Sequence, residues 1–216
     1  MISDETLATI LRSIYVSGTA TLLASVWSLP TSYVLTLKRR VGVVEAVIES
    51  LVGIPTVLLG LLLYILLSSS GPLAPLGIKL LYTPQAIILG ESILVTPLMI
   101  STSYRVLKNS VVMYSELALS LGASKTQVMT LVIKESLPGV VASIIMSFSR
   151  ALGELGIAMM VGGNISGYTR VMTTAIALGV VRGEFEEAIA LGLVLMAIMV
   201  VISVTLKLIN KVYGID

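Results

Sequence analysis

Glu116-Leu117-Ala118-Leu119-Ser120-Leu121-Gly122-Ala123 is a run of small and apolar residues that closes on a glycine, set in a basic segment between two apolar runs of membrane length. Alanine and leucine favour a helix, and glycine ends one cheaply because it enters the left-handed conformation without a steric cost. The stretch carries no pattern of catalytic groups and reads as a docking element for a partner protein. What flanks it decides the fold.

Hydrophobic types make up 56% of the 216 residues and charged types only 12%, where a soluble domain carries about 25% charged residues. The charges also cluster, leaving 13–37, 50–78, 92–104 and 188–206 free of them. A helix crosses a bilayer in roughly 20 mostly apolar residues. The chain therefore reads as an all-α, multi-pass protein of the cell membrane, forming one transmembrane domain over 1–216. Five spans are expected near 13–37, 47–68, 82–104, 139–161 and 186–206. Asp4 and Glu5 stand where a cleavable signal peptide would need a positive n-region, so none is expected. There is no cysteine, hence no disulfide framework, and the net charge of +2 gives no reason to expect a nucleic-acid partner. No internal repeat is visible, which withholds support from an inverted-repeat carrier.

Lysine and arginine in short loops set the orientation, because cytoplasmic loops hold the excess. One side collects Lys38, Arg39, Arg40, Arg105, Lys108, Lys125, Lys134, Lys207 and Lys211. The other holds Arg12, Lys79, Arg170 and Arg182, offset by Asp4, Glu5, Glu184, Glu186 and Glu187. The N-terminus is expected outside and the C-terminus in the cytoplasm, which requires an odd number of spans. Pro30, Pro55 and Pro97 fall inside the expected spans, where a missing N–H kinks a helix.

The segment 105–136 is too long for a simple turn, and two helices fit it. The first closes at Gly122; the second starts at Ser124, whose hydroxyl and Gln127 make a Ser-x-x-Gln capping box. Leu117 and Leu121 share one face of the first, and Ala118 leaves room for another backbone. The result is either a rigid docking knob or a solvated interhelical loop with ordinary caps. Between 162 and 187, the apolar run 171–181 is too short to span and reads as an interfacial or re-entrant helix. Its start could turn backbone donors, Arg170 and the hydroxyls of Thr173 and Thr174 towards an anion, or it could be a surface helix capped by a threonine.

Glu116-Leu117-Ala118-x-x-x-Gly122 resembles the EAA signature of permease subunits of ABC-type importers, whose loop helix docks in a groove of the ATPase subunit. Leu117 stands where alanine is usual, and the Leu-Pro that follows the glycine comes later, at Leu137-Pro138, with Val132 able to take the aliphatic position. Ser149-Arg150-Ala151-Leu152-Gly153-Glu154-Leu155-Gly156 is similar to a segment of the sulfate, molybdate and tungstate permeases. Met160-Val161-Gly162-Gly163-Asn164-Ile165 and Thr169-Arg170-Val171-Met172-Thr173-Thr174-Ala175-Ile176 resemble the tungstate branch. The likeness covers nearly the whole chain. It implies a type I importer permease fold and a tetrahedral oxyanion cargo, tungstate first, with molybdate or sulfate as the alternative. It further implies a second copy of the chain, ABC-type ATPase subunits that hold ATP and magnesium, and an extracytoplasmic binding protein. Glu116, Leu117, Ala118, Gly122 and Ala123 would form the ATPase-coupling loop.

Arg150 and Glu154 fall within the fourth expected span and Glu91 within the third. A charge at the bilayer centre costs about 2.5–3.5 kcal/mol on insertion scales, so all three must face the protein interior or a wet cavity. They either neutralise one another and hold helices in register, or line a translocation path and gate together with Arg170, Thr173 and Thr174. An enzyme is excluded on composition. The chain has no histidine, its aspartates are Asp4 and Asp216 alone, and no Gly-x-x-x-x-Gly-Lys-Ser/Thr loop occurs. ATP hydrolysis therefore belongs to another subunit, and no cofactor is expected in this chain. A channel or ion-coupled carrier working alone remains the rival, using Glu91 or Glu154 for the coupling ion.

Overall fold

A computed structural model of the chain describes residues 4–38, 41–77 and 79–212. Arg39 and Arg40 lie outside the described residues, as do the side chains of Lys207 and Lys211. Among the described residues every regular element is helical, with no strand. Eight α-helices follow in order: α1 (Asp4–Thr36), α2 (Gly42–Val52), α3 (Thr56–Leu67), α4 (Pro84–Ser120), α5 (Lys125–Leu152), α6 (Gly156–Gly162), α7 (Met172–Arg182) and α8 (Phe185–Val212). Four of them, α1, α4, α5 and α8, are long and apolar enough to cross a membrane, and the bent pair α2–α3 makes a fifth candidate.

The expected second span, 47–68, is not one helix. α2 and α3 meet at 92° across a three-residue break, Gly53-Ile54-Pro55. Proline biases the residue before it away from the helical region, and glycine adjacent to it removes the remaining propensity. Pro30 and Pro97 by contrast sit within unbroken helices. The expected fourth span, 139–161, is likewise interrupted: α5 stops at Leu152 and α6 starts at Gly156. The segment 105–136 holds two helices as expected, but they are the ends of α4 and α5, which continue directly into the bundle.

α1 and α4 form the axis of the bundle, and α5 packs on both. The buried face of α1, whose main neighbour is α4, is built from small residues, including Ser13, Ser17, Ala20, Ala24, Ser28 and Ser32. Small side chains let helix backbones approach where lipid supplies no hydrophobic drive between helices. Four buried hydroxyls of α1 are bonded within the helix: Thr9 to the carbonyl of Glu5, Ser13 to that of Thr9, Thr21 to that of Ser17 and Ser32 to that of Ser28. Three apolar clusters follow one another along this axis. The first joins Val16, Leu63, Ile87, Ile157 and Val161, the second Ala24, Val95, Met99 and Ala151, and the third Leu35, Val41, Ile100 and Tyr104. α3 crosses α6 so closely that a Cβ on Gly156 would sit 2.7 Å from Thr56 Oγ1 and 3.0 Å from the Val57 nitrogen.

Candidate functional site

Along the chain, Glu91 falls between Ile88 of the first cluster and Val95 of the second, and Glu154 between Ala151 and Ile157. This level of the bundle holds a polar centre. Glu91 of α4 is 1% exposed and its Oε2 has no hydrogen-bond partner. Ser17 of α1 lies beside it, with the charges of Glu154 and Arg150 in electrostatic reach. Arg150, in the last turn of α5, donates from Nη1 to Glu154 Oε2 at 2.8 Å. Spacing four brings them together, but Glu154 stands in the break after the helix and not on its face. Its second oxygen accepts the N–H of Ile157 at 3.1 Å, which satisfies a donor left open at the start of α6. Thr173 of α7 closes the arrangement from outside, donating to the carbonyl of Glu154 at 2.7 Å.

Arg170 and Thr174 are not part of this centre. Arg170 pairs with Glu5 at 3.3 Å and donates to Asn164 Oδ1, while Arg12 donates to the carbonyls of Arg170 and Gly167, both at 2.9 Å. Ser166 completes this network by donating to Glu5. Thr174 caps α7 by accepting the N–H of Val171 at 3.0 Å, and the N–H of Met172 goes to Ser13 Oγ at 2.7 Å. The N–H groups of Val171 and Met172, at the start of α7, are thus satisfied inside the protein. A cavity of ≈ 260 Å³ lies between α1, α7 and α8, lined by charged residues that include Glu5, Arg170, Arg182, Glu184 and Glu187.

At the far end of α4 the chain turns without slack. Gly122 has φ +83°, its N–H donates to the carbonyl of Leu119, and the N–H of Ala123 donates to that of Ala118, both at 3.0 Å. This is the six-to-one and five-to-two pattern that closes a helix on a left-handed glycine. Ser124 starts α5 at once with a reciprocal box: its N–H donates to Gln127 Oε1 at 2.7 Å, and its Oγ accepts from the Gln127 N–H at 3.4 Å. Leu117 is 59% exposed and Leu121 80%, and Glu116 is also exposed, whereas Ala118 is buried. Ala123 is half-buried. Ala118 therefore packs inward at the hairpin, and the leucines and Glu116 are what a partner would meet.

Reading the sequence missed the part played by α2. Glu49 pairs with Arg105, and Glu45 with Lys108 at 3.6 Å, tying the short helix to α4. The signal was present as two acids four apart and two cations three apart. Ser17 gave no local signal, since its neighbour Glu91 is far away in sequence.

The chain matches, over residues 20–214, the family described as binding-protein-dependent transport system inner membrane component. It is 40% identical over 191 residues to a tungstate uptake system permease protein of Peptoclostridium acidaminophilum, covering 88% of this chain and 83% of that one. A probable anion ABC transporter permease protein of Haloferax volcanii is 35% identical over 194 residues, covering 87% and 83%. A sulfate transport system permease protein of Salmonella typhimurium is 28% identical over 202 residues, covering 90% and 73%. These relatives are transport permeases, not enzymes, and the helices described above are those of a multi-pass membrane protein. The chain belongs to the binding-protein-dependent transport system inner membrane component family.

Proposed function

We propose that the chain is the membrane-spanning subunit of an ATP-driven importer for a tetrahedral oxyanion, tungstate foremost. It works as a pair, receives its cargo from an extracytoplasmic binding protein and couples to ATPase subunits that hold ATP and magnesium. The N-terminus is outside, and the α4–α5 tip lies in the cytoplasm, following the bias of lysine and arginine to that side. The observation that carries coupling is the tip itself, a corner closed by Gly122 and Ser124 with Leu117 and Leu121 exposed beside Glu116. A cap on each side of a four-residue connection lets a push on one helix move the other. The choice of tungstate rests on the likeness to permeases so named. Arg150, the exposed member of the polar centre, is the natural lining of the path, with Glu154 and Glu91 buried behind it.

The test is uptake in proteoliposomes containing the chain and its ATPase, with binding protein supplied outside and labelled tungstate, molybdate and sulfate in competition. ATP-dependent uptake dominated by tungstate is expected. Preference for molybdate or sulfate would move the substrate assignment, and uptake that persists without the ATPase would replace this reading with a channel or carrier.

A further inference from the structure

The polar centre contains two acids and one base, yet the base is the group it presents. Glu91 is 1% exposed and Glu154 3%, while the Arg150 side chain is 37% exposed. Arg12 gives both terminal nitrogens to carbonyls, and Arg170 uses Nε and Nη1. Arg150 uses Nη1 alone, on Glu154, leaving its other guanidinium donors without a protein partner. Met146, one turn earlier on the same face of α5, is 46% exposed. An exposed guanidinium at this depth is costly against hydrocarbon, so the face of α5 carrying Met146 and Arg150 needs another cover.

Resting on the function proposed above, we propose that this cover is a second copy of the chain, and that the two Arg150 guanidiniums face one another across the path as the transit contact for the dianion. Each Arg150 keeps guanidinium donors free although Glu154 balances its charge, and a planar guanidinium offers paired N–H donors to oxyanion oxygens. Glu154 is a positioning residue: its carboxylate fixes Nη1 and directs the free donors outward. The same carboxylate offsets the cation's charge and so weakens the grip on the anion. Passage needs a contact strong enough to admit the ion and weak enough to release it.

The experiment uses the complete transporter in proteoliposomes with tungstate as the probe. Replacing Arg150→Gln and Glu154→Gln together removes both charges and leaves two neutral amides that can still hydrogen-bond. Assembly with transport at the wild-type rate would overturn the proposal, and loss of assembly would show the pair to be a structural tie and overturn it as well. The expected result is normal assembly with uptake reduced about tenfold or more, the scale of one lost charge-assisted contact. Arg150→Lys keeps the charge and loses the fork; a raised KM for uptake is expected, and an unchanged KM counts against the contact. The chain has no cysteine, so Met146→Cys alone reports the geometry through a short bifunctional thiol reagent. A cross-linked dimer is expected, and monomer alone overturns the two-copy arrangement. Absence of ATP-driven uptake by the wild-type complex would instead defeat the functional reading, and the proposal would fall with it.

Discussion

The hydroxyl of Thr173 donates to the carbonyl of Glu154 at 2.7 Å, across 19 residues of chain. This bond ties α7 to the break between α5 and α6. Without it the carbonyl of Glu154, in the part-buried break after α5, would lose that partner.

Thr173→Val keeps the shape of the side chain and removes that donor. The variant is expected to lose about 1 kcal/mol of stability, a fall of about 2–4 °C in melting temperature for a chain of this size. Thr173→Ser should melt close to wild type. Thermal unfolding in detergent checks the pair, and a valine variant as stable as wild type would show that the bond contributes nothing.

Gly122 holds φ +83° with open space around its Cα. Gly122→Ala therefore meets backbone strain and no clash, at a cost of about 1–2 kcal/mol confined to the tip. The protein should still enter the membrane, while uptake and substrate-stimulated ATP hydrolysis fall together. Glu116→Lys, which reverses an exposed charge at the same corner, should behave alike. Normal uptake by both variants would remove the tip from the coupling mechanism.

Gly156 and Gly192 give opposite expectations for one substitution. A methyl on Gly156 would press on Thr56 and Val57, and Gly156→Ala should destabilise by about 1–3 kcal/mol through overpacking of α3 against α6. Gly192 in α8 has nothing within 4 Å of an added Cβ, and Gly192→Ala should be neutral or stabilise by up to about 1 kcal/mol from helix propensity. Comparison of the two melting curves reads the crossing directly.

Ion pairs of different depth should differ in the same way. Glu49 and Arg105 are 40% and 61% exposed, and Glu49→Gln should change stability by less than about 1 kcal/mol. Glu154→Ala removes a buried acceptor from both Arg150 and the Ile157 N–H, and a loss of about 2 kcal/mol or more is expected. Equal melting temperatures for the two variants would contradict the burial of Glu154.

Local signals in the sequence proved the most legible. Gly122 and the Ser124–Gln127 box act over three or four residues, and both operate where the pattern put them. Runs free of charge marked the long helices, because desolvation acts on composition alone. The breaks at Gly53–Pro55 and after Leu152 were harder to read, since an apolar stretch of the right length hides an interruption until its glycines and prolines are weighed against it. Arg150 and Glu154 were recognisable as a pair from their spacing. What Thr173 and Ser17 do could not be read, because each partner is chosen by tertiary packing, and a hydroxyl carries no mark of whether its bond is inside the protein or to a ligand.

The small-residue face of α1 has a mechanical meaning. Because Thr9, Ser13, Thr21 and Ser32 donate to their own helix, few directional bonds cross from α1 to its neighbour α4. Trp27 donating to Thr96 at 2.7 Å and Ser32 reaching the Ile100 carbonyl at 3.2 Å are two that do. Away from those two bonds the contact rests on close approach and van der Waals fit, so shape holds the long axis of the bundle together where hydrogen bonds do not.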